Sequence, residues 1–544
     1  MDRPTPILFE LRIDPPEALA RLKAVLSDGP STFLTDDPSP VATRTYLDTF
    51  DGRLHRAGRL LAFTPGRRGG RLELETLDGE LVRRARSDEP HAFAEQLPPG
   101  PLAEEVVSVI APRRLLPVAE LRDPGVGLRL VDELDKTVVR LDLLGGTVAP
   151  GDGPWLWGDR PPAPAPMPPL LLVRPVRGYE EAFQAAISLL EDRLAEELAR
   201  ATDDILTQAL AVLGRGPRDY SSKLRLELDP EASAEAATRE ILWTLLATMR
   251  ANEEGTRLDL DPELLHDFRV AVRRTRAVLG QVRGVFPAAD VARFKKGFAW
   301  LGGATGPTRD LDVYLLKLPD YRAGLPRRIQ PHLDPLGTFL QEHQRIEQAK
   351  LARLLRTKRY RTLLRDWEAF LKREPREEEQ EEAPGTENAR RPIRQVASER
   401  IWKAWQRVRR RGAKITSESE AAELHRLRIA CKKLRYLLEV FRSLAPADQL
   451  QPPIQALKKL QDNLGDFNDY EVQQKRVAAF ADQMVNEDLA PVPTLLAMGR
   501  LQARLDRGQR KERRRFEKRF RRFTSKDQRR RLEKLFKPDA TVEC

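Results

Sequence analysis

The 544-residue chain has only two cysteines, Cys431 and Cys544. Two thiols cannot build a disulfide framework, and such sparing use points to a reducing compartment. Aromatic residues are scarce at 6%, although hydrophobic residues at 41% suffice for a packed core. No stretch approaches the roughly 20 consecutive apolar residues of a membrane span. The opening MDRPTPILFELRID also lacks the apolar centre of a secretory signal. These absences give the expectation of a soluble cytoplasmic protein. Acidic residues are in deficit, 82 against 94 Lys and Arg, a formal net charge of +12. A surplus of that size suggests a polyanionic partner.

The length accommodates two to four domains. Residues 1 to about 178 read as mostly β: RTYLDTF, RLELETL, GLRLVDEL and TVVRLDLL are short runs bounded by Gly, Pro and Asp. PPEALARLKAVL reads as a helix with proline in its first turn. GDRPPAPAPMPP (158–169) reads as an extended connector, LLLVRPV as a last strand, and 179–210 as continuous helix. From about residue 222 nearly every segment is amphipathic with helical period. The stretch 373–394 is acidic and poor in apolar residues, and reads as a disordered linker. The expected architecture is α+β multidomain, with boundaries at 1–210, 222–372, 373–394 and 395–540.

The two helical segments are copies of one another. A shift of 159 residues carries His266 onto His425, Arg269 onto Arg428, Arg273 onto Lys432, Arg274 onto Lys433, Arg276 onto Arg435 and Arg283 onto Arg442. The same shift carries Leu301, Gly306, Asp310 and Val313 onto Leu460, Gly465, Asp469 and Val472. Tandem copies usually pack about a pseudo-twofold axis. Asp261 with Pro262 provides a start for the first copy's basic helix. Ser417 and Glu420 have capping-box spacing for the second.

At about 100° per residue, His266, Arg269, Arg273 and Arg276 form one stripe extended by Arg283, opposite Phe268, Ala271, Val272, Thr275 and Val278. His425, Arg428, Lys432 and Arg435 repeat the pattern. An amphipathic helix with a cationic outer face is ordinary when acids sit at i+4. Between Arg269 and Arg283 there is no Asp or Glu, so stacked like charges destabilise the helix until an anion neutralises them. Arg forks and Lys ammoniums both suit phosphate. A leading histidine can donate to a phosphate oxygen, and its charged form is favoured near anions. Zinc fits poorly, since no second His or Cys stands at ligand spacing. Cys431 falls on the apolar face, which speaks against thiol catalysis. Lys295 with Lys296 and Lys458 with Lys459 add cations downstream. Residues 500–537 hold 18 Lys and Arg against five acids, either as a further wall or as a solvated helix. The stripes contain no aromatics for base stacking, which disfavours nucleic acid.

Paired HxxRVxxRRxR and HxxRIxxKKxR helices, followed by GPTRDLDV and GDFNDYEV, resemble the conserved-histidine α-helical (CHAD) domain over about 222–540. The resemblance implies two pseudo-symmetric helical bundles around a basic channel for inorganic polyphosphate, and location at polyphosphate granules. It carries the ligand contacts onto His266, Arg269, Arg273, Arg274, Arg276 and onto His425, Arg428, Lys432, Lys433, Arg435. Arg309 joins them in the first copy only, since Asn468 stands at the matching place. Residues 1–200 are similar to the CYTH, or triphosphate tunnel, fold through TYLDTFDGRLHRAGRLL. That family's E-x-E-x-K strand reads LFELRI here, with Leu8 for the first Glu, Glu10 retained and Arg12 for Lys. The expectation is a degenerate tunnel with neither metal, cofactor nor catalysis. A metal-dependent triphosphatase that recruits substrate through the helical half is the alternative.

Overall fold

The computed structural model describes residues 4–27, 33–37, 41–67, 69–123, 125–152, 161–374 and 384–538. The chain divides into two compact units, 1–221 and 222–544.

The first unit is built on an antiparallel sheet. Its strands are β1 (Ile7–Leu11), β2 (Phe33–Asp36), β3 (Ala42–Asp48), β4 (Arg59–Thr64), β5 (Gly70–Thr76), β6 (Leu81–Ser87), β7 (Leu116–Asp123), β8 (Val126–Val131), β9 (Thr137–Pro150), β10 (Ala165–Pro175) and β11 (Leu198–Arg200). The pairing order is β11-β1-β10-β9-β7-β3-β4-β5-β6, with β8 also on β9 and β2 on β8. Among the described residues β6 and β11 each pair on one side only, so no hydrogen-bonded seam closes the sheet into a barrel. The helices are α1 (Pro15–Ser27), α2 (Arg53–Arg56), α3 (Pro101–Ile110), α4 (Glu180–Arg193) and α5 (Ile205–Val212).

Strand alternation explains the packing. Phe9 and Leu11 enter one core with α1 and α4. On the other face Leu8 packs against a second core that α5 shares with Leu170 and Leu172. The continuous helix expected over 179–210 is interrupted. Leu198 and Arg200 pair with Leu11 and Phe9, giving β1 its second neighbour, and Asp204 then caps α5 by accepting from the Leu206 and Thr207 amides. The proline-rich connector likewise ends inside β10, whose register on β9 shifts between Met167 and Leu170. The TYLDTFDGRLHRAGRLL segment is structural: buried Asp48 accepts from the amides of Thr49, Leu54 and His55.

The second unit is helical: α6 (Ala234–Arg257), α7 (Pro262–Gln281), α8 (Ala288–Ala304), α9 (Gly306–Ala323), α10 (Asp334–Leu355), α11 (Lys358–Leu371), α12 (Ile393–Gly412), α13 (Ala421–Val440), α14 (Ala447–Asn486), α15 (Val492–Phe523) and α16 (Lys526–Phe536). The starts of α6, α7 and α8 precede those of α12, α13 and α14 by 159 residues each, the period read from the sequence. The copies differ where α8 and α9 are separate and α14 runs through as 40 residues. One core contains residues of both copies, including Phe268, Trp367, Trp405 and Leu434. Another joins Tyr314 and Leu318 of α9 to Phe480 of α14 and Leu501 of α15.

The linker expectation over 373–394 needs correction in part. Residues 375–383 lie outside the described residues. From Pro384 the chain is anchored: its carbonyl accepts from the Ala288 amide, and the amides of Glu235 and Ala234 donate to Ala389 and Arg391. Residue 393 already starts α12.

Candidate functional site

The basic stripes lie on α7 and α13. The first helix starts as its sequence dictates: Asp261 accepts from the amides of Glu263 and Leu264 at 2.9 and 3.1 Å, with Pro262 in the first turn. The second does not use the expected capping box. It starts at Ala421 after Glu420, without a side-chain cap. Ser419 instead closes a local turn by accepting from the Thr416 amide at 2.9 Å, and the Ser417 carbonyl accepts from Arg513 at 3.0 Å.

Both apolar faces are buried as the angular pattern requires. Phe268, Ala271, Val272, Thr275 and Val278 line α7, and Leu427, Ala430, Cys431 and Leu434 line α13. The cations therefore lie on the opposite faces, and α7 packs on α13. This brings the two copies' charges together. Burial first, then Arg428 and Arg273, pushes the Lys432 ammonium down to about 8. A lysine from one copy is thus crowded by an arginine from the other. Arg273 also faces His266 and Arg269 of its own helix and has an exposed side chain, as does Arg276.

The histidines occupy equivalent places with different partners. Arg309 donates from Nη2 to His266 Nδ1 at 3.0 Å. The imidazole proton then sits on Nε2, free to donate outward. Burial and the adjacent guanidinium hold His266 below its ordinary pKa, so without an anion this histidine is neutral, not charged. In the second copy His425 Nδ1 donates to Asn468 Oδ1 at 2.6 Å. Asn468 therefore substitutes for Arg309 as the histidine's partner, with the direction of the hydrogen bond reversed.

Several expected contacts are already engaged within the protein. Arg309 also donates to the Pro262 carbonyl at 2.7 Å and pairs with Glu263 at 3.3 Å. Arg269 donates to the Gly302 carbonyl at 2.9 Å and to Thr305 Oγ1 at 2.8 Å. Arg274 donates to the Ser222 carbonyl at 2.9 Å and lies 3.7 Å from Glu439. Arg435 binds the same Glu439 at 2.5 Å and Gln461 at 3.1 Å. Arg428 sits 3.4 Å from Asp469. The stripe is acid-free along the helix, but acids arrive from α14. Lys295 is an electrostatic neighbour of Lys433. Lys296, Arg442, Lys458 and Lys459 are exposed. The basic tail carries i,i+3 and i,i+4 pairs such as Arg510–Asp506, Arg515–Glu512 and Arg529–Glu533, the pattern of a solvated helix.

Sequence reading missed three cations on α12. Arg400, Lys403 and Arg407 share one helical face, spaced at i, i+3 and i+7, and line a cleft of about 100 Å³ with Arg283 and Lys433. The spacing was readable; that this face turns toward α7 and α13 was not.

The first unit holds a cavity of about 520 Å³, lined by side chains of β3, β4, β5, β9 and β10. Strands that far apart in one sheet can line a common space only if the sheet curves around it. Glu10 and Arg12 are not among its lining residues: Arg12 is exposed and reaches the Glu196 carbonyl. The expectation of a cavity stripped of charge is corrected. Arg44, Arg71, Glu73, Glu75, Asp123, Asp142 and Arg174 all line it. Alternation in RLELET was the overlooked signal. These charges are matched internally: Arg44 meets Glu75 and Arg71 meets Glu73, both at 3.1 Å, and Arg174 pairs with Asp142. Among the described residues no three His, Cys, Asp or Glu side chains are grouped to hold a metal ion, and no helix is long and apolar enough to cross a membrane.

Residues 240–478 match the family described as the CHAD domain. The chain is also similar to two solved structures. One is the CHAD domain from the plant Ricinus communis, 26% identical, covering 54% of this chain and 96% of that one with a TM-score of 0.42. The other is PptA from Streptomyces chartreusis, 18% identical, covering 53% of this chain and 99% of that one with a TM-score of 0.37. No curated protein is matched.

Proposed function

With residues 240–478 forming a CHAD domain, we propose that the protein binds inorganic polyphosphate between the cationic faces of α7 and α13. The observation that carries this reading is the meeting of Arg273, Arg428 and Lys432 across the two copies. Unliganded, these cations repel one another. A polyanion with a charge on every unit relieves the repulsion along the whole stripe. His266 contributes a neutral Nε2–H donor, and Arg273 and Arg276 offer exposed forks for phosphate oxygens. The stripe positions have no aromatic platforms, so bases would add nothing to the binding of a phosphate backbone. Location at polyphosphate granules follows from this reading. The test is direct titration with long-chain polyphosphate, with single-stranded DNA as competitor. Binding is expected to weaken steeply with salt, and DNA that displaces polyphosphate at equal phosphate concentration overturns the assignment.

The Lys432 ammonium adds a pH signature. A bound phosphate favours its protonated form and raises its pKa above the unliganded value of about 8. Binding then takes up a proton at alkaline pH. Affinity should fall as pH rises through 8, by at most about tenfold per pH unit for one proton. The K432R variant should flatten this profile, since arginine stays charged. A profile unchanged in K432R would remove Lys432 from the site.

For the first unit we propose a CYTH-like domain without hydrolytic activity. Acids and arginines both line its cavity, which favours the triphosphatase alternative at first sight. Their pairing argues the other way: Glu73, Glu75 and Asp142 each face an arginine of the same cavity. A divalent cation would have to displace those guanidiniums, and a polyphosphate would have to displace the acids. The full chain with Mg²⁺ or Mn²⁺ is expected to release no phosphate from tripolyphosphate. Release that disappears in E75Q would establish the enzyme instead.

A further inference from the structure

The two copies match in backbone but not in charge. Arg400, Lys403 and Arg407 of α12 line the cleft beside Arg283 and Lys433. Shifted back by 159 residues, the three α12 cations become Ile241, Thr244 and Thr248 on α6. Lys433 becomes Arg274, whose charge is engaged by the Ser222 carbonyl and Glu439. The pseudo-symmetric counterpart of the cationic cleft is therefore largely neutral.

The cleft is also built, not an accident of mobile side chains. Gly284 adopts φ +74°, and a Cβ there would lie 2.5 Å from Asn388 and Glu387. The Asn388 side chain donates to the Arg283 carbonyl at 3.0 Å, and Arg400 donates to the same carbonyl at 3.2 Å. Arg283 is thereby held beside α12. Glu399, the nearest acid on α12, is held by Arg391 and stands 3.9 Å from Lys403. Lys432 and Lys433 are consecutive and diverge by about 100° on α13. One faces Arg273 and Arg428, the other Arg283 and Arg407. The central stripe thus continues directly into the cleft.

We propose that this cleft is an additional polyanion subsite at one end only, so that a long chain leaves the α7–α13 stripe past α12 and not past α6. The proposal rests on the polyphosphate reading above. It makes affinity depend on chain length: tripolyphosphate is accommodated by the central stripe, whereas a long chain gains the α12 cations as well.

The test compares the full-length protein with R400Q/K403Q/R407Q, titrating tripolyphosphate and long-chain polyphosphate separately. Long-chain affinity is expected to fall at least about tenfold, with the slope of log affinity on log salt reduced by about two for three lost cations. Tripolyphosphate affinity should not change, which also certifies the fold. Equal loss for both ligands, or loss for neither, overturns the subsite. The reciprocal variant T244K/T248K, which makes α6 resemble α12, should raise long-chain affinity alone; no gain would count equally against it. Wild-type protein that binds no polyphosphate at all would refute the underlying function, a distinct outcome.

Discussion

R273E/K432E is expected to lose at least about a hundredfold in polyphosphate affinity, against about tenfold for either reversal alone, taking roughly 1.5–3 kcal/mol per charge-assisted contact. The two residues come from different copies and crowd the same space, so reversing both puts two carboxylates where the phosphates would lie. Their neighbours His266 and Arg269 would then pair with the new acids and leave the ligand fewer donors. The double variant should melt normally, because Arg273 lies on the exposed face and Lys432 is only half-buried. Relieving cation repulsion could even raise its Tm. Calorimetric titration checks the prediction, and unchanged affinity in the double variant would place the ligand elsewhere.

W367A is expected to cost about 3–5 kcal/mol of stability. Trp367 is fully buried at the centre of an aromatic cluster, with Phe294 at 4.6 Å, Phe298 at 5.2 Å and Phe370 at 5.5 Å between ring centroids. The same core holds Phe268 and Val272, which fix the rotation of α7 about its axis. A void there loosens the helix that presents Arg273, so polyphosphate affinity should fall although no ligand contact is removed. Thermal melting with and without long-chain polyphosphate tests both parts: a large Tm deficit is expected, partly restored by ligand that binds only the folded state. A drop under about 1 kcal/mol would mean that the cluster is loosely packed.

Different parts of the molecule were legible to different degrees. The repeat was legible because a constant register of charges and apolar residues survives any packing. It gave the helix starts as well as the shared core. The faces of α7 and α13 followed from 3.6-residue periodicity alone. Boundaries set by competition were not legible. Residues 198–200 have helical composition but complete the hydrogen bonding of β1. Ser417 has cap spacing, yet its carbonyl is used by Arg513 of a distant helix. The cavity charges were hidden because Arg44, Glu75 and Arg174 lie far apart in sequence and converge only through strand order.

What the sequence determined by itself was the doubled cationic helix and the kind of ligand it suits, since charge type and helical phase are local properties. What tertiary structure decided was which of those charges remain available. Arg274, Arg309 and Arg435 are neutralised by groups 26 or more residues away on other elements, or by acids brought beside them, while Arg400, Lys403 and Arg407 join the site from another helix. A charge's identity is written in the chain, but its free energy depends on the partners and solvent around it, and those are assigned only by folding.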